Sequence, residues 1–182
     1  MTEDRKAATL FGALVADAAA LGLHWIYDPA RIASVADEYG SAAFVPIDPA
    51  NFAGVPAYFA HGARCDGMQS QYGEVLRLMI QSLLDHDGLD VVAYSATFAA
   101  HFGAGGPYQG YIDRPTRGML DNTATETEVT GIDDDQLPAI STLPAIAVCY
   151  YGAAQAEKSA AARAVTHVND VADRYADVCA QV

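Results

Sequence analysis

The sequence predicts an all-α fold, and three observations predict it. Apolar residues recur at spacings of three and four in several segments, the period of a helix face. Asp, Pro and Gly punctuate those segments where helices start and stop. No segment shows the strict alternation of a half-buried strand, and no internal repeat is visible. The chain has 182 residues and 52% hydrophobic composition, enough for a sizeable core, and its length gives no reason to divide it. A single domain over 1–182, built as a compact multi-helix bundle, is the expectation.

The segment from about Asp4 to Leu21 sets the organisation. Leu10, Leu14, Asp17 and Leu21 share one helical face, so a single carboxylate stands among large apolar side chains. The Ala and Gly around them let other helices approach closely, which reads as a central buried helix. A buried carboxylate needs a cation, a set of donors or a proton; Asp17 therefore needs a partner. The apolar, aromatic link Leu23 to Tyr27 is expected to pack inward. Asp28 and Pro29 read as N-cap and first position of a second helix, Ala30 to Tyr39, stopped by Gly40. From Ser41 to Gly67 periodicity is lost, yet Phe44, Phe52, Tyr58 and Phe59 recur, which predicts a long ordered loop of the kind that tends to carry function.

Ser70 to Gly73 opens a third helix, whose body Glu74 to Leu84 turns Leu76, Met79, Ile80, Leu83 and Leu84 toward the core. Asp90 caps a fourth, Val91 to Phe102, stopped by Gly103. The glycine-rich run that follows succeeds no strand, so it supports neither a dinucleotide fingerprint nor a P-loop. A shorter helix spans about Arg114 to Asp121, and a polar run leads to the acidic Asp133–Gln136. A helix from Leu137 to Tyr151 tolerates Pro138 in its first turn and is expected to kink at Pro144. Two last helices, Ala154 to Val168 and Asp170 to the end, part at Asn169.

A formal net charge of −13 excludes nucleic acid and anionic membrane surfaces as expected partners. Cys65, Cys149 and Cys179 are odd in number and far apart, the usage of reduced thiols in a cytoplasmic protein. The N-terminal run imitates a signal peptide, but Glu3, Asp4 and Asp17 speak against one, and no window approaches an uninterrupted transmembrane length.

The candidate functional side chains follow from this layout. Asp17 is either a ligand-facing carboxylate or one satisfied by Arg, His24 or helix N–H groups. His24 lies seven residues on and shares its stripe if the helix continues past Gly22. Tyr72 and Glu74 stand at the head of the third helix, where free N–H groups favour an anion such as a pyrophosphate; alternatively Glu74 is a first-turn acid paired with Arg77. Asp17 and Glu74 form the pair to consider for glycoside chemistry with two carboxylates. Asp133, Asp134 and Asp135 are consecutive, point in different directions and lack the spacing of a calcium loop. No Ser, His and Asp trio stands out.

Three stretches together resemble the ADP-ribosylglycohydrolase superfamily. Ala16-Asp17-Ala18 in a glycine-bearing first helix is similar to its Gly-Asp-Ala-Leu-Gly signature. Gln69 to Glu74 falls where the family has a Thr-Asp-Asp-Thr metal-binding segment, and Thr166-His167 resembles its Thr-His segment. The wording Ala-Asp-Ala-Ala, His-Trp-Ile-Tyr-Asp and Tyr-Gly-Glu resembles in particular the divergent J1-crystallin-like branch. The resemblance implies an all-α fold with a central cleft, an ADP-ribose-like small molecule or ADP-ribosylated substrate as partner, and two divalent cations, usually magnesium, assisting hydrolysis of a glycosidic link.

Carried over residue by residue, the resemblance makes Asp17 and Glu74 the catalytic candidates. His24, Tyr72, Asp134, Asp135 and His167 become ligand-binding candidates. The two carboxylates of the metal-binding segment fall on Gln71 and Tyr72, so no metal ligand is assigned, and the family's next acidic position after the first-helix Asp is His24. The chain also lacks the family's later Asp-x-Asp-Thr stretch, so it reads as the N-terminal portion of the family fold. Two functions are expected on these grounds: hydrolysis of an ADP-ribose linkage with a degraded metal site, or a non-catalytic nucleotide-binding or crystallin-like structural role. Apolar surface left open in a shortened bundle also predicts a homo-oligomer.

Overall fold

The computed structural model describes residues 1–125, 132, 140–154 and 157. Among them are six α-helices and no strand: α1 (Glu3–Ala20), α2 (Pro29–Tyr39), α3 (Gln71–His86), α4 (Val91–Phe102), α5 (Arg114–Ala124) and α6 (Leu143–Cys149). The acidic segment Asp133–Gln136, and the helices expected over 154–182 apart from Ala154 and Glu157, lie outside the described residues. The chain clusters into two compact units. One comprises Met1–Phe11, Val75–Tyr108 and Ile112–Val182; the other, here the site unit, comprises Gly12–Glu74 and Gln109–Tyr111.

The first unit is cored on aromatic and aliphatic side chains. Tyr94, Phe98, Phe102 and Tyr108 make successive ring contacts at centroid separations of 6.0, 4.8 and 4.9 Å. Asp90 caps α4 through Ala93 N–H, and Asp113 caps α5 through Thr116 N–H, each satisfying a donor that the first helical turn leaves open. The third-helix stripe is formed by Leu76, Met79 and Leu83, with Val75 and Leu78 also buried, whereas Leu84 is 73% exposed. That corrects the expected stripe: position 84 lies beyond the buried arc that 75, 76, 79 and 83 define at 100° per residue. Of the helix expected from Leu137 to Tyr151, the described residues contain α6, Leu143–Cys149, and residues 137–139 lie outside them. Pro144 sits in the first turn of α6 and starts the helix without kinking it, since a proline there removes no intrahelical bond.

In the site unit, α2 obeys its local signals: Asp28 accepts from Ala30 and Arg31 N–H, and Gly40 closes the helix at φ 72°. The stretch 41–67 is ordered by a 3-10 turn, Pro49–Phe52, capped by Asp48. Ile47 N–H donates to Asp66, and Arg31 donates to the carbonyls of Ala50 and Asn51. A lone antiparallel bridge, Ile26 with Ala57, ties this loop to the aromatic link.

Helix α1 differs from its expectation. Ala18 is its one buried residue, and Phe11 is 70% exposed. Leu10, Leu14 and Asp17 do form its less exposed face, so the direction of the stripe is right and its depth is not. Alanine is as good a surface helix former as a core residue, and an Ala-rich segment does not by itself require burial. The stretch Glu3–Leu23 is also long and apolar enough, by length and composition, to cross a membrane, contrary to the expectation that no window qualifies. Asp17, which interrupts it, is hydrogen-bonded to Ser70 and ties the C-terminal part of the stretch into the site unit.

Candidate functional site

Asp17, His24, Tyr72 and Glu74 all fall within the site unit; Asp134, Asp135 and His167 lie outside the described residues. Asp17 finds donors, not a cation. Its Oδ2 accepts Ser70 N–H at 2.7 Å and its Oδ1 accepts the Ser70 hydroxyl at 2.5 Å. The Gln69 side-chain amide, with its NH2 turned toward the carboxylate, donates to Oδ2 at 3.0 Å and to the Leu14 carbonyl at 3.1 Å. Ser70 immediately precedes α3, and its Oγ in turn accepts from Tyr72 N–H at 3.0 Å and Gly73 N–H at 3.5 Å. One hydroxyl thus caps α3 and fastens it to α1.

The packing leaves no room for a larger residue at 73. A Cβ there would collide with the Asp17 carboxylate and the Gln69 amide. The head of α3 was expected to offer free N–H groups to an anion. Those of Tyr72 and Gly73 already bond to Ser70 Oγ, and that of Glu74 to the Ser70 carbonyl, so these three N–H groups are engaged within the chain.

Glu74 pairs with Arg64 at 2.9 Å, the two side chains being 14% and 8% exposed. Arg64 also donates through Nε to the Gln69 carbonyl at 2.9 Å and through Nη1 to the Gln109 carbonyl at 3.3 Å. A buried pair of this kind holds together because hydrogen bonds satisfy the guanidinium beyond the carboxylate itself.

His24 does not share the Asp17 stripe. α1 ends at Ala20, a 3-10 turn spans Leu21–Leu23, and His24 is extended. Gly22 is pressed so closely against the Val45 carbonyl that no side chain would fit. His24 Nδ1 instead faces His61 Nε2 at 2.7 Å. Burial pushes the His24 imidazole below its usual range, opposed by the nearby Asp17 carboxylate. His61 is held at about 4 by burial, by His24 and by Arg64. Both rings are therefore neutral at pH 7, and one proton lies between the facing nitrogens. His61 Nδ1 is buried without a hydrogen-bond partner.

Around the imidazoles stand four more aromatic rings. Trp25 lies 4.7 Å from His24, 5.6 Å from Tyr58 and 4.7 Å from Tyr111, the last edge-on, and Tyr72 meets His24 edge-on at 5.9 Å. Trp25 adopts φ 69°, a conformation that costs a bulky residue of order 1–3 kcal/mol. Tyr58 N–H to Trp25 O at 3.0 Å and Tyr27 N–H to Pro56 O at 2.9 Å hold it there. Tyr58 is 56% exposed, which leaves part of this wall open to solvent.

Sequence reasoning reached Asp17, His24, Tyr72 and Glu74 but missed Arg64, His61 and the capping role of Ser70. His61 and Arg64 sit in a stretch without periodicity, where only the unusual density of aromatics signalled function. For Ser70, its place directly before an apolar helix was the available signal.

This helical chain, with its first-helix aspartate bound to the residues that open α3, belongs to the ADP-ribosylglycohydrolase family, whose family model matches residues 1–181. It is similar to Crystallin J1A of Tripedalia cystophora, with 29% identity over 106 residues, 58% of this chain and 30% of the crystallin's length. No solved structure matches the chain.

The described residues do not fit the pair of hard cations that the family resemblance implies. Gln71, 2% exposed, and Tyr72 stand at the expected carboxylate positions. Asp17 has both oxygens engaged by donors, and Glu74 is neutralised by Arg64. Among the described residues no group of three or more His, Cys, Asp and Glu side chains could hold a metal ion.

Proposed function

We propose that this chain recognises an ADP-ribose-like ligand without magnesium-dependent hydrolysis. The observation that carries this reading is the engagement of both candidate catalytic carboxylates in holding the unit together: Asp17 on Ser70 and Gln69, Glu74 on Arg64. A general acid or nucleophile must reach the reacting bond, whereas both Asp17 oxygens and Glu74 Oε1 are held by structural contacts. Family membership supports an ADP-ribosylated substrate or free ADP-ribose as the ligand class. The partly open ring surface of Trp25, Tyr58 and Tyr111 suits a purine, because base–aromatic stacking contributes about 1–3 kcal/mol per base.

Calorimetric titration of ADP-ribose, once in magnesium and once in a chelator, tests the reading. Equal affinity in both buffers, with no release of ADP-ribose from an ADP-ribosylated peptide, is the expected result. Binding or turnover that requires magnesium would restore the hydrolase reading, and absence of binding in both would leave a structural, crystallin-like role.

A further inference from the structure

We propose that Arg64 is the positioning residue of the ring wall, a role that rests on the ADP-ribose reading above. By holding the 109–111 segment it fixes where Tyr111 stands against Trp25, and so how tightly the wall takes a base. Gln109–Tyr111 belongs to the site unit, while the chain on either side, up to Tyr108 and from Ile112, belongs to the other unit. The segment ends a glycine-rich run in which Gly105 adopts φ 80° and Gly110 φ 153°, conformations that glycine populates at little cost and other residues rarely adopt. Such a run has many accessible paths, so the local sequence does not determine the place of the ring it carries.

Arg64 supplies a constraint from outside the run. Its Nη1 donates to the carbonyl of Gln109, two residues before Tyr111, at 3.3 Å. The rest of the guanidinium is fixed: Nε donates to the Gln69 carbonyl and Nη2 to Glu74 Oε1, each at 2.9 Å. A planar fork held at two points has little freedom at the third, so the Gln109 carbonyl is located relative to the head of α3. The backbone N–H of Arg64 also donates to the His61 carbonyl at 2.8 Å, and the His61 ring stacks on Trp25 at 5.9 Å. Both rings are thus referred to one residue, Tyr111 through the Arg64 side chain and Trp25 through the Arg64 backbone.

The ring contacts show what this placement sets. Tyr111 stands at 90° to Trp25 with centroids 4.7 Å apart, and at 74° to Tyr58 at 6.2 Å. Edge-on contacts of this kind are favoured over a face-to-face sandwich and depend on ring position. Lysine at 64 would keep a positive charge beside Glu74 as a single point, but without a planar fork it would not hold the Gln69 and Gln109 carbonyls together. That substitution therefore separates the two roles of Arg64, charge balance and the placement of Tyr111.

Calorimetric titration of ADP-ribose into wild type, Arg64→Lys, Tyr111→Leu and the double variant tests this role. Near-UV circular dichroism in the tryptophan band is a second readout, since Trp25 is the chain's sole tryptophan. Tyr111→Leu is expected to weaken binding by about five- to 150-fold, the span that stacking of one base on one ring covers. Arg64→Lys is expected to weaken it by more than about threefold, above the roughly twofold margin of independent effects, with helical dichroism retained and the tryptophan band altered. Because Arg64 acts through Tyr111, the double variant should match Tyr111→Leu within about twofold. If Arg64→Lys does not fold, Arg64→Gln in a Glu74→Gln background leaves neither charge unpaired and is carried through the same cycle. Losses that multiply, or an Arg64→Lys affinity and tryptophan band like those of wild type, overturn the positioning role and leave the ADP-ribose reading standing. Wild type that binds no ADP-ribose overturns that reading and this role with it.

Discussion

Replacing Asp17 by Asn changes one oxygen to an NH2 at constant shape, and the structure sets the consequence. The best fit keeps the remaining oxygen toward Ser70 N–H and the Gln69 amide, which places the new NH2 against Ser70 Oγ. The Ser70 hydroxyl then has no acceptor for its proton, at a position 2% exposed, while its oxygen still receives Tyr72 N–H. One charge-assisted bond is lost, about 1.5–3 kcal/mol, and the other two become neutral. Burying an amide in place of a carboxylate returns part of this, so the expected loss is about 2–3 kcal/mol. For a chain of this size that corresponds to a fall in Tm of roughly 5–10 °C.

Urea unfolding of the wild type, Asp17→Asn, Ser70→Ala and the double variant measures the loss and assigns it. The cycle should give a coupling energy of about 2 kcal/mol. A loss below about 0.5 kcal/mol, or strict additivity, would refute the scaffold role of Asp17. It would return the carboxylate to a ligand-facing role, especially if ADP-ribose affinity fell at unchanged Tm.

Two further outcomes follow from the same unit. Burial holds folded His61 down at about 4, against 6.5 for a free histidine side chain. The unfolded state therefore binds more protons between those values, and stability present above pH 6.5 is lost as pH falls toward 4. At about 1.4 kcal/mol per pH unit the loss is at most about 3 kcal/mol. Unfolding in chelating buffer at pH 7 and pH 4.5 should show a smaller difference in His61→Gln than in the wild type, and equal differences would remove the burial argument. Arg64→Met takes the guanidinium from a part-buried Glu74 and from the Gln69 and Gln109 carbonyls. It should destabilise by about 3–5 kcal/mol, with Glu74→Gln milder; a denaturation midpoint within error of wild type would contradict the strut role of Arg64.

The helical fold was legible wherever a local signal decided the outcome. Asp28, Gly40, Asp90 and Gly103 bound α2 and α4 as their residue types predict, because capping depends on the few residues around it. Legibility failed where distant packing decided. The apolar character of α1 carries no information on what covers it, and Leu84 differs from Leu83 only in angle. In the site, Asp17 announced itself as a carboxylate in an apolar stripe, but its partners lie 52 and 53 positions away in Gln69 and Ser70. His61 carries no sequence signal for its role: its ring is defined by the closure of the 41–67 loop onto the aromatic link, a contact that no periodicity encodes.

Among the described residues, the charge pattern of the site unit balances its carboxylates from within the chain. A carboxylate in a low-dielectric setting requires positive potential close by. A divalent cation supplies it in an exchangeable form, whereas Arg64 and the N–H donors of Gln69 and Ser70 supply it from the chain itself. A chain-borne guanidinium does not act as a Lewis acid toward a bound water or a substrate oxygen, so Arg64 supplies Glu74 with charge balance and not with metal chemistry. Gln71 and Tyr72 fit that logic: an amide and a phenol add no negative charge for which an ion would be needed.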